Sequence, residues 1–132
     1  MEVLKILGQA NPESVTTTQL YTVPIDKGCV VSYINICNMD AYDAFINIAV
    51  IRGHIPEGGV ANESYIEYHM MVYGNCSAQR MKGVTLAQGD TIAVYASSEH
   101  ITFSLFGSEF DQTFDYDETL PYGYGYGEVV GF

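Results

Sequence analysis

Apolar residues in this chain alternate with polar ones in short runs, and Gly, Pro, Asn or Asp closes each run after a few residues. Period-two alternation buries one face of a strand and leaves the other outside the core. Nowhere do apolar residues hold the i, i+3, i+4 spacing of an amphipathic helix between good start and stop signals. A chain patterned this way has to pair strands and stack sheets.

Val3 to Leu7 reads as a first strand ended by Gly8, and Gln19 to Val23 as a second stopped at Pro24. Asp26-Lys27-Gly28 has the composition of a turn. In Cys29 to Asn38 the alternation predicts Val30, Ile34 and Ile36 on one face and Val31, Tyr33, Asn35 and Cys37 on the other. Ala44 to Arg52 sets Ile46, Ile48 and Val50 against Phe45, Asn47 and Ala49, and the short polar link before it predicts a hairpin. Tyr65 to Tyr73 should place Ile66, Tyr68, Met70 and Val72 on one side. Gln79 to Lys82 reads as a short edge strand whose Arg80 and Lys82 discourage unwanted pairing. Thr91 to Ala96 and Ile101 to Phe106 follow, the latter with Ile101, Phe103 and Leu105 toward the core. About seven or eight such strands predict an all-β antiparallel sandwich, jelly-roll or Ig-like, over residues 1–109. Residues 110–132, rich in acids, Tyr and Gly, read as an extended C-terminal arm, with a disordered low-complexity end as the alternative.

Composition narrows the function. Hydrophobic residues at 48% and charged residues at 16% exclude disorder and suit a surface that a neighbour covers. A net charge of −11 excludes nucleic acid as a partner and disfavours an anionic membrane surface. Met1 to Gly8 is too short and interrupted for a signal peptide, and no apolar run approaches bilayer length. Cys29, Cys37 and Cys76 are odd in number and lack CxxC spacing, so they are expected as small buried hydrophobes in a reducing cytoplasm.

The arm is the most informative segment. Tyr offers a large contact area with few torsions to freeze, and Gly lets backbones approach closely. Phe110, Phe114, Tyr116, Tyr122, Tyr124, Tyr126 and Phe132 are therefore the candidate subunit contacts. Asp115, Asp117 and Glu118 are hard oxygen ligands, but their spacing falls short of a calcium loop, so no metal is expected. His54, His69 and His100 are scattered, with no HxH or HExxH pairing, and nothing visibly activates Cys37 or Cys76 as a nucleophile. No catalytic residue and no cofactor are expected, and the chain does not read as an enzyme. Eleven Tyr make a glycan the rival partner, since Tyr rings stack on sugars, although sugar sites favour Trp and the chain has none. The competing role for Tyr33, Tyr65, Tyr68, Tyr73 and Tyr95 is packing between sheets or subunits.

Lys5-Ile6-Leu7-Gly8-Gln9-Ala10-Asn11-Pro12 and Leu20-Tyr21-Thr22-Val23-Pro24 open a pattern continued by Val30 to Asn38, Gly83 to Asp90 and Val94 to Ser97. It finishes at Phe103 to Glu109. Over roughly residues 3 to 109 the chain resembles small β-sandwich virion structural proteins of tailed bacteriophages, as in phages of marine bacteria. That resemblance implies an accessory protein of the virion, made in the host bacterial cytoplasm. It would act as a capsid decoration or as a neck, tail or fibre component. The implied partners are further copies of the chain, as a trimer by analogy with decoration and fibre modules, and major capsid or tail subunits. After Glu109 the acidic Tyr-Gly arm departs from the pattern. A glycan-binding attachment module and a self-polymerising filament subunit are the alternatives.

Overall fold

The computed structural model describes residues 4–80 and 83–112. Among them run nine strands: β1 (Leu4–Ala10), β2 (Thr18–Thr22), β3 (Lys27–Asn38), β4 (Ala44–Ile51), β5 (Tyr65–Val72), β6 (Ser77–Arg80), β7 (Val84–Leu86), β8 (Thr91–Ala96) and β9 (Ile101–Asp111). A single 3-10 turn at Asn62–Ser64 precedes β5. No helix among the described residues is long and apolar enough to cross a membrane.

Every strand pairing is antiparallel. One sheet has the order β1-β9-β3, with β6 and β7 sharing the far edge of β3. The other has the order β2-β8-β4-β5. The chain alternates between sheets at nearly every step, and the order 1-9-3-6/7 over 2-8-4-5 is that of a jelly roll. This settles the topology that alternation alone leaves open. It also corrects the expected hairpin. β3 and β4 lie in different sheets, and the link through Met39 to Asp43 is a crossing between them.

The core is the set of inward side chains: Cys29, Val31, Ile34 and Ile36 of β3, Ile101, Phe103 and Leu105 of β9, Ile46 and Ile48 of β4, and Ile92 and Val94 of β8. Each fully buried side chain of this size contributes about 1.5–3 kcal/mol relative to exposure. Leu20 and Tyr21 join from β2, Val72 from β5 and Leu86 from β7.

The phase in β3 differs from simple alternation for a physical reason. Val31 pairs with Gly107 but Tyr33 pairs with Phe106, so Ser32 is an extra residue. On the other side of β9, Ile6 pairs with Phe106 and Gly8 with Leu105, leaving Leu7 extra. A bulge moves every later side chain to the other face. Hence Cys29 and Val31 point in before it and Ile34 and Ile36 after it, while Val30 sits half-buried outside. Gly107 lies where the two bulges converge. A Cβ there would collide with the Val30 carbonyl oxygen and crowd Leu7 and the Val31 backbone. β9 thus continues through Gly107 to Asp111 instead of ending at Phe106, and β1 continues through Gly8 to Ala10. Lys27 and Gly28 belong to β3, so the turn before it consists of Ile25 and Asp26.

Asn38 closes β3 and is 1% exposed. Its Nδ2 donates to the carbonyls of Tyr42 (2.9 Å) and Val72 (3.0 Å), and its Oδ1 accepts from the Asp40 amide (2.9 Å). One side chain therefore ties the end of β3, the crossing link and the end of β5.

Candidate functional site

The outer face of the β2-β8-β4-β5 sheet is divided in two. Over one half, the loop between β4 and β5 folds back, and Ile55, Val60 and Tyr65 cover Ala49, Ile51 and Ala93. The other half stays open as a basin of about 350 Å3 lined by Thr17, Phe45, Asn47, Tyr65, Tyr68, His69, Tyr95 and Ser97.

Strand register explains how these side chains meet. Asn47 pairs with Tyr95 on β8. Across β5, Ile46 pairs with Met70 and Ile48 with Glu67, so Asn47 faces two residues, Tyr68 and His69. His69 takes the left-handed conformation at φ +57°, uncommon for a residue with a Cβ. Its amide donates to the Asn47 Oδ1 (2.7 Å), so the Asn side chain supplies the acceptor at the point where the register slips. Ile66 and Met70 pack against the core while Tyr68 and His69 are both exposed. This corrects the expectation that Tyr68 shares a face with Ile66 and Met70. Straight alternation would have put it there, and the bulge turns it outward.

The rings form a connected set. Phe45 meets His69 edge-on at a centroid distance of 4.2 Å, Tyr65 meets Tyr68 at 4.9 Å, and Tyr68 meets His69 at 5.9 Å. Such edge-to-face pairs are worth about 0.5–1.5 kcal/mol beyond burial and hold each ring at a set tilt. Ser97 Oγ accepts from the Phe45 amide (2.9 Å), which leaves its own O–H available as a donor. Asn47 Nδ2 has no partner among the described residues.

The outer face of the β1-β9-β3 sheet is a second candidate. Leu4 is 63% and Ile6 55% exposed. Ile6 pairs with Phe106, and Phe106 with Tyr33, whose rings stack at 4.7 Å and 20°. β1 leaves its free edge unpaired among the described strands, with Lys5 its one charged residue.

At one end of that sheet lies a polar cluster. The buried Tyr21 hydroxyl donates to Glu109 Oε2 (2.5 Å), and Lys5 Nζ contacts Glu109 Oε1 (2.6 Å). Burial, then the bond to Glu109, pushes the Tyr21 hydroxyl above the ordinary tyrosine range. The Lys5 ammonium first, and the Tyr21 hydroxyl second, hold the Glu109 carboxyl below the usual carboxylate range. Burial pushes the neighbouring Cys29 thiol up.

Of the contacts expected from the C-terminal segment, Phe110 lies in β9, half-buried, with its ring over Gly28, where a Cβ would meet it. Phe114, Tyr116, Tyr122, Tyr124, Tyr126 and Phe132 lie outside the described residues, as do Asp115, Asp117 and Glu118. No group of three or more His, Cys, Asp or Glu among the described residues is placed to hold a metal ion. His54 is in the loop after β4, His69 in the basin, and His100 4.0 Å from Asp40. Cys29 is buried as expected, Cys37 is half-buried, and Cys76 is exposed, because it sits in the turn before β6. Among the described residues the Tyr buried in the core is Tyr21. Tyr68 and Tyr73 instead face outward.

Neither a protein-family model nor a curated protein sequence matches this chain.

Proposed function

We propose that this protein is a structural subunit of a tailed-phage virion, a decoration, neck, tail or fibre component, acting by subunit–subunit assembly with copies of itself and with other virion proteins. The observation that carries the assembly reading is the outer face of the β1-β9-β3 sheet. It offers Leu4 and Ile6, each more than half exposed, beside the stacked Tyr33–Phe106 pair. Contiguous apolar surface of this kind marks interaction sites on soluble proteins. The β1 edge, unpaired among the described strands, adds backbone donors and acceptors to the same region, which suits strand addition as well as face-to-face burial. The virion assignment rests on the sequence resemblance over residues 3 to 109 and on the jelly-roll architecture, which capsid proteins share with lectins. In this reading a second copy of the chain covers the face, and the segment from Phe110 to Phe132 laces neighbours together.

Light scattering on the full chain tests it. A defined oligomer that Ile6→Glu or Phe106→Ser converts to folded monomer is the expected result, and removal of residues 113–132 should weaken the oligomer. A wild-type monomer at high micromolar concentration, or an oligomer indifferent to all three changes, would refute the assembly reading.

A further inference from the structure

We infer that the basin on the outer face of the β2-β8-β4-β5 sheet is a binding site for a neutral saccharide. The inference is independent of the assembly reading, because the basin lies on the opposite side of the sandwich from Leu4 and Ile6.

The basin's chemistry has two halves. The rings of Phe45, Tyr65, Tyr68 and Tyr95 supply aromatic surface, and Tyr68 is 66% exposed, so one of its faces is open to a ligand. An aromatic face carries the negative lobe of the ring quadrupole. The C–H bonds on one side of a pyranose are polarised positive and form a flat apolar patch that fits against it. The same sugar carries hydroxyls around its rim, and these need partners when water is displaced.

The polar half supplies them. Asn47 Nδ2 carries two N–H donors with no partner among the described residues, because the amide's oxygen is committed to the His69 backbone. The Ser97 hydroxyl is likewise free to donate while it accepts from Phe45. Thr17 and the Tyr hydroxyls add groups that both give and take. Apolar surface plus a few fixed polar groups is the composition of a small-molecule site, and about 350 Å3 lies at the lower end of the roughly 300–1,000 Å3 such sites span.

Charge selects the class of sugar. Among the described residues no Lys, Arg, Asp or Glu lines the basin, so they offer no permanent cation for an acidic saccharide and no carboxylate for an amino sugar. The net charge of −11 further disfavours anionic glycans. A backbone residue held at positive φ marks this spot as well. His69 tolerates an unfavourable conformation, and the return is that Tyr68 and His69 both reach the basin.

The test is a glycan array followed by NMR titration of the full chain with neutral oligosaccharides, namely glucan, mannan, galactan and N-acetylglucosamine oligomers, beside sialyllactose and oligogalacturonate. Binding of at least one neutral oligomer is expected, with shifts confined to the basin. Tyr68→Ala should weaken it roughly tenfold or more, the loss typical of truncating an exposed aromatic anchor. Asn47→Asp is the sharper variant. It keeps the oxygen that holds the His69 amide and removes the donor, so the fold should persist, by thermal melting, while affinity falls at least severalfold. Ile6→Glu, on the far sheet, should leave the affinity per chain in the NMR titration unchanged, whatever it does to avidity on the array. The inference is overturned if no neutral oligosaccharide shifts basin resonances at about 10 mM, a concentration that would detect even millimolar affinity. It is equally overturned if Tyr68→Ala and Asn47→Asp leave binding intact, if only acidic glycans bind, or if Tyr68→Ala dissociates an oligomer whose contact is the basin itself.

Discussion

Replacing Asn38 with Ala should cost this domain about 3 kcal/mol, more than any exposed polar side chain could. The figure follows from three bonds made by one side chain that is 1% exposed. The bond to the Val72 carbonyl is fully buried, and a buried acceptor left alone costs about 1–3 kcal/mol. The bonds to the Tyr42 carbonyl and from the Asp40 amide are partly buried, so water recovers some of each, leaving about 0.5–1.5 kcal/mol apiece. For a domain of this size each kcal/mol lowers Tm by about 3–5 °C, which predicts a fall of roughly 10 °C or more. Far-UV circular dichroism through thermal and urea unfolding reads it directly. Asn38→Asp sharpens the test. It retains an acceptor for Asp40 but turns a carboxylate oxygen toward two carbonyls, so at neutral pH it should be worse than Ala. Acidification should then narrow that difference, as the protonated acid regains a donor. A loss under about 1 kcal/mol for Asn38→Ala, with Asn38→Asp no worse, would refute the reasoning.

Glu109→Gln should destabilise the protein at pH 7, because the folded carboxyl ionises below its ordinary value through Lys5 and Tyr21. That contribution is complete above about pH 4.3, the unfolded value, and is lost as pH falls through the lower folded value, so the gap between variant and wild type should close in urea melts taken toward pH 3. Gly107→Ala should cost at least about 2 kcal/mol in the same assay, since the added Cβ meets the Val30 backbone instead of a movable side chain. Val15, 67% exposed at φ +58°, is a β-branched residue in left-handed backbone. Val15→Gly should therefore stabilise by about 0.5–1 kcal/mol, the left-handed penalty of roughly 1–2 kcal/mol less the entropy Gly loses on folding.

The sandwich class was readable because Ile46 and Ile48, Ile92 and Val94, and Ile101, Phe103 and Leu105 keep strict alternation, and each set does face the core. Where the phase of a strand was misread, the cause was a bulge. Ser32 shifts the phase of β3, Leu7 that of β1, and the slip at Tyr68–His69 that of β5, and none of these residue types announces a bulge. Gly107 looked like the end of a strand because Gly weakens strands in general, whereas here it answers a close backbone approach. The partners of a jelly-roll strand are distant in sequence, so the crossing at Met39 to Asp43 had the same local appearance as a hairpin loop. The basin was invisible for both reasons. Its rings come from β4, β5 and β8, and two of its lining residues, Tyr68 and His69, reach it through a slipped register.

The placement of β9 bears on how the protein is made. β1 and β3 both pair with it and not with each other, so their sheet has no centre until Ile101–Asp111 has been synthesised. All four strands of the β2-β8-β4-β5 sheet precede it, so that sheet is synthesised whole while the other still lacks its middle strand. At about 5–20 residues per second, translation leaves β3 without its main partner for several seconds. During that interval Cys29, Val31, Ile34 and Ile36 have only the short strands β6 and β7 to pair beside them. Chain shortened before Ile101 would thus be a client for chaperones or proteases and not a smaller version of the domain, and folding should track release of the last strand from the ribosome.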